Sequence, residues 1–442
     1  MSELILTSLF LLPPFFNFKF QNTSKSKNIE SISISWLFFW SYFVLLSVLF
    51  LVLNLESIKF NPLFIFVLTT LIYWILGKPK NKIQLNNFFI RLMLFFIFLI
   101  ISASVERTNI GGDTIWSTVL SIDLLSLENN KIKLTMLGHR PIALPLISSL
   151  TIMTFNQIFF TFNIFTSLIF IVRFSSIIYP MLNKKLNNHL ISSLAMGLFI
   201  SSPVILELSF YWGNHIFLAL GFLELFLYFN NKIHDVNEVD IYLLMSCLIF
   251  FRREAFIFIV LLFVFYSHLV NKKFSPITFI LPSVWFIHLY LVDIPLQKST
   301  SDQFLLIGVS ISVFMIFFYF NKINFFYNKR LIFVLLIFVH ILLIFQNSGI
   351  FWSVFLNNFL GLGGWGMIGS IILFAICFLT LKNVSSVNFT SILILLFMIL
   401  PYVNAQSGDG WRYGFTSSFN RIIFYLFFII IYEFLIETSN EV

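Results

Sequence analysis

The chain contains, at residues 34–54, the run ISWLFFWSYFVLLSVLFLVLN, which holds no charged residue. A helix that crosses a bilayer needs about 20 apolar residues, and this run supplies them. About 14 runs of this kind, each bounded by polar residues, succeed one another along the sequence. The composition agrees, with 59% hydrophobic residues, 62 phenylalanines and a mean hydropathy of +0.95. The sequence therefore predicts an all-α fold, a polytopic transmembrane helical bundle of about 12–14 spans.

The same composition excludes other broad classes of protein. Only 10% of the residues are charged, whereas ordinary soluble domains carry about 25%. One soluble core cannot enclose this much apolar side chain, and the remainder would aggregate. A soluble enzyme, a nucleic-acid binder and a disordered chain are thereby excluded. No linker or internal repeat divides the sequence, so we predict a single transmembrane domain over residues 1–442.

The basic residues predict an orientation. The formal net charge is +8, and more than half of the 27 lysines and arginines fall in connections that would share one side of the membrane. Because positively charged connections stay inside, that side is predicted to be cytoplasmic. Both termini then lie in the cytoplasm, and we expect a multi-pass protein of the inner (plasma) membrane.

The longest external connection, residues 105–157, contains the candidate catalytic carboxylates Glu106 and Asp113. Gly111 and Gly112 allow a sharp turn just before Asp113, so its carboxylate can be held at the membrane surface. The apolar residues that follow predict a short amphipathic helix lying on the bilayer. Asp113 is therefore a candidate general base. The alternative is that it caps the N-terminus of this helix.

The run LIFFRREAFI at residues 248–257 places Arg252, Arg253 and Glu254 between two apolar stretches. Charges at membrane depth are expensive and normally face a cavity or a partner. Two guanidinium groups beside one carboxylate leave a net positive centre, which suits an anionic phosphate. The alternative is a tight external hairpin with an ion pair. Glu224, within another predicted span, needs an internal partner or protonation.

Further candidate phosphate-binding residues occur near predicted helix ends: His139, Arg140, Arg412 and Arg421. Each can also be read as an ordinary helix start or an interfacial anchor. No Walker loop, dinucleotide-binding glycine motif, HExxH motif or cysteine cluster is present, so the sequence gives no support for nucleotide-driven or metalloprotease chemistry.

Taken in order, these elements resemble the GT-C superfamily of integral-membrane glycosyltransferases, which use polyprenyl-phosphate-linked sugars and include mannosyltransferases. The matching elements are Gly112-Asp113-Thr114, His139-Arg140-Pro141, a span ending at Lys184-Lys185, and Arg252-Arg253-Glu254. The resemblance covers residues 88–273, which would form the catalytic core, and extends weakly to the C-terminal helices at 274–442. This chain departs from many members in having two additional spans upstream. It also has Thr114 where many members carry a second acid, which leaves Asp113 as the lone candidate base at that point.

The resemblance implies inverting sugar transfer on the external, periplasmic face, in the synthesis of a cell-envelope glycan or glycolipid. The implied partners are a polyprenyl-phosphate-linked sugar donor, an acceptor that is a glycan, a lipid or a protein, and the surrounding membrane lipid, with no nucleic acid. Asp113 and Glu106 are then the catalytic candidates. The substrate- and phosphate-binding candidates are Arg252, Arg253, Glu254, His139, Arg140, Arg412 and Arg421. No cofactor is certain, and a divalent metal ion stays open as an alternative.

Two other classes of membrane protein share this composition. A transporter or lipid flippase is expected to show inverted repeats with interrupted helices in corresponding halves, and only residues 240–270 are interrupted in this way. An O-antigen polymerase-like protein also handles polyprenyl-linked sugars. It tends to carry its basic residues in a large, late external loop, whereas the largest external connection here is early.

Overall fold

Most of the residues that can be described in this computed structural model are helical. It describes residues 11–15, 19–20, 27–53, 60–76, 82–83, 112–125, 142–155, 160–200, 215–230, 233, 236–252, 255–256, 258–259, 262, 277–291, 334, 337–342, 345, 367–382 and 418–439. The principal helices are α1 (Lys27–Leu53), α2 (Pro62–Leu76), α3 (Gly112–Leu125), α4 (Ala143–Phe155), α5 (Phe160–Leu186), α6 (His189–Ile200), α7 (His215–Phe229), α8 (Glu238–Phe251), α9 (Ile277–Leu291), α10 (Met367–Lys382) and α11 (Ser418–Ser439). The helical class predicted from the sequence is confirmed.

Beside the α-helices, the described residues contain a 3₁₀ turn at Pro13–Phe15 and two short parallel strands of two residues each. β1 (Lys19–Phe20) pairs with β2 (Lys82–Ile83), with Lys19 opposite Lys82. The apolar runs of the sequence did not predict these strands. Their length is far below the usual strand length of about five or six residues, so they add little to a fold built from helices.

Asparagine side chains begin three of the helices. Asn61 accepts a hydrogen bond from the backbone N–H of Phe64, and Pro62 occupies the first helical position of α2. Asn188 and Asn237 cap α6 and α8 in the same way. Such caps satisfy backbone N–H groups that have no partner inside the helix. The polar residues between apolar runs thus fix where these helices start.

The turn between α5 and α6 is closed by Asn187. Its φ of 46° lies in the left-handed region, and its N–H donates to the carbonyl oxygen of Asn183 at 2.9 Å. Asparagine tolerates this conformation better than most residues and commonly ends helices in this way. With Asn188 capping α6 immediately afterwards, the two helices are joined by only two residues, and they pack against each other.

The core is built around α1 and α7. α1 contacts α2, α4, α5, α7, α8 and α9, whereas α7 contacts α1, α5, α8 and α11. The largest fully buried side chains are aromatic: Trp36, Trp40, Phe39, Phe43, Phe162, Phe170, Phe174, Phe217 and Phe222. Aromatic side chains bury more apolar area than other side chains, so the high phenylalanine content serves in part to fill this core.

Two helical segments are long and apolar enough to cross a membrane among the residues searched, namely Ile32–Leu53 in α1 and Phe165–Leu186 in α5, each of 22 residues. Shorter apolar helical segments occur in α2, α4, α6, α7 and α10. These segments coincide with apolar runs predicted as spans, except the one in α4, which lies within the connection 105–157 that the sequence analysis predicted to be external. The polytopic bundle of about 12–14 spans stays a prediction.

Candidate functional site

Arg252 is the predicted site residue whose side chain the structure describes. It directly follows the last residue of α8, and its backbone N–H donates to the carbonyl oxygen of Leu248 at 3.1 Å, which closes the helix. The backbone at Arg252 is extended, with φ −160° and ψ 143°. The side chain is partly buried. Arg252 therefore lies immediately after the C-terminal end of α8.

Two further predicted residues can be located by backbone alone. Asp113 is the second residue of α3, so it lies within the first turn of that helix and not before it. Arg421 is the fourth residue of α11. The remaining predicted residues lie outside the described residues: Glu106, His139, Arg140, Arg253, Glu254 and Arg412.

Arg252 lies beside His215, the first residue of α7. The Nη2 atom of Arg252 is 3.5 Å from Nε2 of His215, and Nδ1 of His215 is 2.6 Å from the hydroxyl oxygen of Tyr425 on α11. His215 is completely buried and Tyr425 is nearly so. A cation, an imidazole and a phenol thus meet where the N-terminus of α7, the C-terminus of α8 and the N-terminal part of α11 come together.

Aromatic ring contacts hold together the three helices that carry these side chains. The ring of Phe217, two residues after His215, stacks on Phe251 with centroids 4.3 Å apart. On the other side of α7, the ring of Phe222 meets Tyr425 edge to face at 5.7 Å. Such ring pairs have preferred geometries and stabilise by about 0.5–1.5 kcal/mol beyond their buried area. They hold α7 in register with both α8 and α11.

Gly221 brings α7 and α8 close together. A Cβ atom added at this position would lie 2.6 Å from a methyl carbon of Leu248, which is itself fully buried. A larger residue here would force the Leu248 side chain to shift, so glycine permits the close packing of the two helices. Leu248 also provides the carbonyl oxygen that ends α8 at Arg252, so the contact supports the placement of the guanidinium group.

Arg421 belongs to the same region of the fold. It precedes Tyr425 by four residues on α11, and residues four apart lie on the same face of a helix. Arg252 is thus linked to α11 through His215 and Tyr425, and Arg421 lies one helical turn before Tyr425 in the α11 backbone. His215 and Tyr425 were not predicted as site residues.

A second polar cluster joins α1, α5 and α7. Arg173 of α5 donates from Nε to Oε1 of Glu224 at 2.7 Å and from Nη2 to Oε2 at 3.0 Å. Ser33 of α1 donates to the same Oε1 atom at 2.6 Å. Arg173 and Glu224 are almost fully buried. The internal partner that Glu224 was predicted to need is thus a bidentate arginine, and such charge-assisted pairs are among the strong hydrogen-bonded arrangements of a carboxylate.

A third polar contact links α1 and α8. The hydroxyl of Tyr42 donates to a carboxylate oxygen of Asp240, in the first turn of α8. Within the part of the chain that the structure describes, no group of three His, Cys, Asp or Glu side chains is placed to hold a metal ion. Of these clusters, the one formed by His215, Arg252 and Tyr425 has the chemistry of an anion site, because a cation and hydrogen-bonding groups converge there.

Comparison of the chain with protein-family models, with curated proteins and with solved structures gives no significant match. The residues themselves therefore carry the functional argument.

Proposed function

We propose that this chain is an integral-membrane glycosyltransferase that moves a sugar from a polyprenyl-phosphate donor to an acceptor hydroxyl on the external face of the inner membrane. The observation that carries the proposal is the meeting of Arg252 with His215 and Tyr425 at one end of three helices. The proposed chemistry, sugar transfer from a polyprenyl phosphate, rests on the order of motifs along the sequence, which resembles that of the GT-C superfamily. The acceptor is a glycan, a lipid or a protein.

The exposed apolar side chains support a location in lipid. Leu190, Leu194 and Leu198 lie four residues apart on α6 and are 70%, 61% and 56% exposed. They form an apolar stripe along one side of the helix, and water would disfavour such a surface. In the proposed topology this stripe faces acyl chains, the chain crosses the membrane about 12–14 times, and both termini are cytoplasmic.

Sugar transfer requires charge stabilisation at the phosphate. As the bond between the anomeric carbon and the phosphate oxygen breaks, its electron pair goes to that oxygen and the polyprenyl phosphate gains negative charge. A preorganised guanidinium group stabilises such charge strongly when water is excluded. Arg252 takes this role in the proposal, and Arg421, one helical turn before Tyr425 in α11, is assigned as a second cation.

The acceptor needs a base. Its hydroxyl oxygen attacks the anomeric carbon from the face opposite the phosphate, which inverts the configuration, and the hydroxyl proton passes to the base. We assign this role to Asp113, in the first turn of α3. α3 is tied to α4 by a hydrogen bond from Ser121 to the carbonyl oxygen of Pro145 at 3.0 Å, which gives Asp113 a fixed support. Glu106 is the second carboxylate in this connection.

A transfer assay tests the proposal. Membranes that contain the chain would be given polyprenyl phosphates bearing radiolabelled sugars, one sugar at a time, with lipid, glycan and protein fractions as acceptors. Label should leave the donor only in membranes that contain the wild-type chain. Membranes that carry an Asp113→Asn variant at equal abundance are the control. If no donor loses label over the wild-type background, the glycosyltransferase proposal is wrong.

A transporter is the second candidate, and the buried pair of Arg173 and Glu224 favours it. Ionisable groups inside a membrane commonly mark ion or substrate pathways. A flux assay in vesicles separates the two classes, because a transporter moves an intact solute or lipid across the bilayer and forms no new glycosidic bond.

A further inference from the structure

The contacts of His215 define which of its nitrogen atoms carries the hydrogen. The guanidinium group of Arg252 has only N–H donors and no acceptor. The Nε2 atom that faces it must therefore act as an acceptor and be unprotonated, across the long contact of 3.5 Å. A neutral imidazole then carries its hydrogen on Nδ1, and this N–H donates to the hydroxyl oxygen of Tyr425 at 2.6 Å. The hydrogen bonds thus run from Arg252 to His215 to Tyr425.

We propose that His215 is a positioning residue that orients the Arg252 guanidinium toward the phosphate group of a polyprenyl-phosphate ligand, and that Tyr425 holds His215 in the tautomer which makes this contact. The proposal rests on the proposed function and identifies how its phosphate site is held. His215 acts through Arg252 and does not contact the phosphate in this scheme.

Holding the Arg252 side chain in place before a ligand binds should strengthen phosphate binding. An arginine side chain has several rotatable bonds, and fixing it on binding costs free energy. His215 lies at the start of α7, a helix buried along its whole length, so the imidazole is a rigid point of attachment. A neighbouring side chain that orients a binding group in advance lowers the free-energy cost of binding the ligand. A guanidinium group held in advance therefore binds phosphate more tightly than a mobile one.

Two amide substitutions separate the two contacts of the imidazole. The side-chain amide of asparagine reaches the place of Nδ1, and that of glutamine reaches the place of Nε2. His215→Asn should therefore keep the contact with Tyr425 and lose the one with Arg252. His215→Gln should keep an acceptor for Arg252. The chain also offers a matched control, because Tyr179 and His189 form the same kind of hydroxyl–Nδ1 contact at 3.0 Å on an exposed surface.

The test measures binding of a fluorescent short-chain polyprenyl monophosphate to the full chain in lipid nanodiscs, with the matching polyprenol and inorganic phosphate as competitors. We expect His215→Asn to weaken binding about tenfold and Arg252→Ala about a hundredfold. His215→Gln should stay within about threefold of the wild type, and His189→Asn should bind as the wild type does. His215→Asn and His215→Gln each lose one contact of a buried side chain, so their unfolding temperatures should fall by similar amounts.

Other results of the binding experiment would contradict the proposal in different ways. If His215→Asn binds as tightly as the wild type, or His215→Gln as weakly as His215→Asn, the positioning role is wrong, while weak binding by Arg252→Ala still supports the phosphate site. If polyprenol competes as well as the phosphate, or inorganic phosphate alone suffices, a lipid phosphate is not the ligand. A wild-type chain that binds no polyprenyl phosphate overturns both this inference and the proposed function.

Discussion

Arg173 and Glu224, 51 residues apart in the sequence, form a bidentate ion pair in which both side chains are almost fully buried. The pair joins α5 to α7, and the hydrogen bond from Ser33 attaches α1 to the same carboxylate. One carboxylate thus links three helices. Two charges removed from water are stable only when the geometry is good and further hydrogen bonds support the pair. Here the contact is bidentate and Ser33 donates a further hydrogen bond to the carboxylate.

Substitution of one partner should therefore destabilise the fold strongly. Glu224→Gln leaves the Arg173 guanidinium buried without a counter-charge, which costs about 3–5 kcal/mol. We expect a large fall in the unfolding temperature of the detergent-solubilised chain, measured by the fluorescence of its tryptophans. Ser33→Ala is the milder control, at about 1 kcal/mol.

The double variant Arg173→Met, Glu224→Leu should recover much of that loss. Apolar side chains of similar volume often replace a buried ion pair without loss of stability. If the double variant is instead less stable than Glu224→Gln alone, the pair contributes through packing that these side chains cannot reproduce. Full sugar transfer by a recovered double variant would also count against a transport pathway through this pair.

Gly221→Ala should destabilise the contact between α7 and α8. The added methyl group would fall 2.6 Å from Leu248, and overpacking of a core costs about 1–3 kcal/mol. We also expect weaker binding of polyprenyl phosphate, because the shift separates His215 from Arg252. Gly197→Ala on α6 is the matched control, since no atom lies within 4 Å of its added Cβ. There, alanine should be neutral or stabilising by up to about 1 kcal/mol. Equal effects at both glycines would contradict the prediction.

Asp113→Asn should abolish sugar transfer while the protein remains at normal abundance in membranes. The amide is nearly isosteric but cannot accept the proton of the acceptor hydroxyl. Asp123→Asn, ten residues later on the same helix, should leave the rate unchanged. Retained transfer by Asp113→Asn would exclude Asp113 as the base and direct attention to Glu106.

Arg252→Ala should lower the transfer rate about a hundredfold or more, because the leaving phosphate loses its charge stabilisation. Arg252→Lys should restore only part of the rate, since an ammonium group lacks the planar fork that matches phosphate. The rates are compared at saturating donor, where a loss confined to donor affinity would disappear. An unchanged rate would place the phosphate site elsewhere in the chain.

Local patterns predicted the helices and the need for a partner at Glu224, but not the partner itself. The apolar runs indicated α1, α5 and α7 because helix formation there depends on residues close in sequence. Arg173 was overlooked because it lies within a run that is otherwise apolar, and only tertiary packing brings it to Glu224. Tyr425 was missed for the same reason, since an aromatic residue in an apolar helix usually serves as core. His215 was noticed only as part of a polar stretch before a span, and its two neighbours come from other helices.

The enclosure of α7 has a consequence for how the chain is made. All 15 of its residues are buried, including the carboxylate-bearing Glu224, and an unpaired carboxylate is costly in contact with lipid. α5 is synthesised before α7, and it carries the Arg173 guanidinium group that pairs with this carboxylate. In the proposed membrane topology we therefore expect sequential insertion, with α7 entering the bilayer only when α5 is already in place to pair with it. The two segments would then enter the bilayer as a pair.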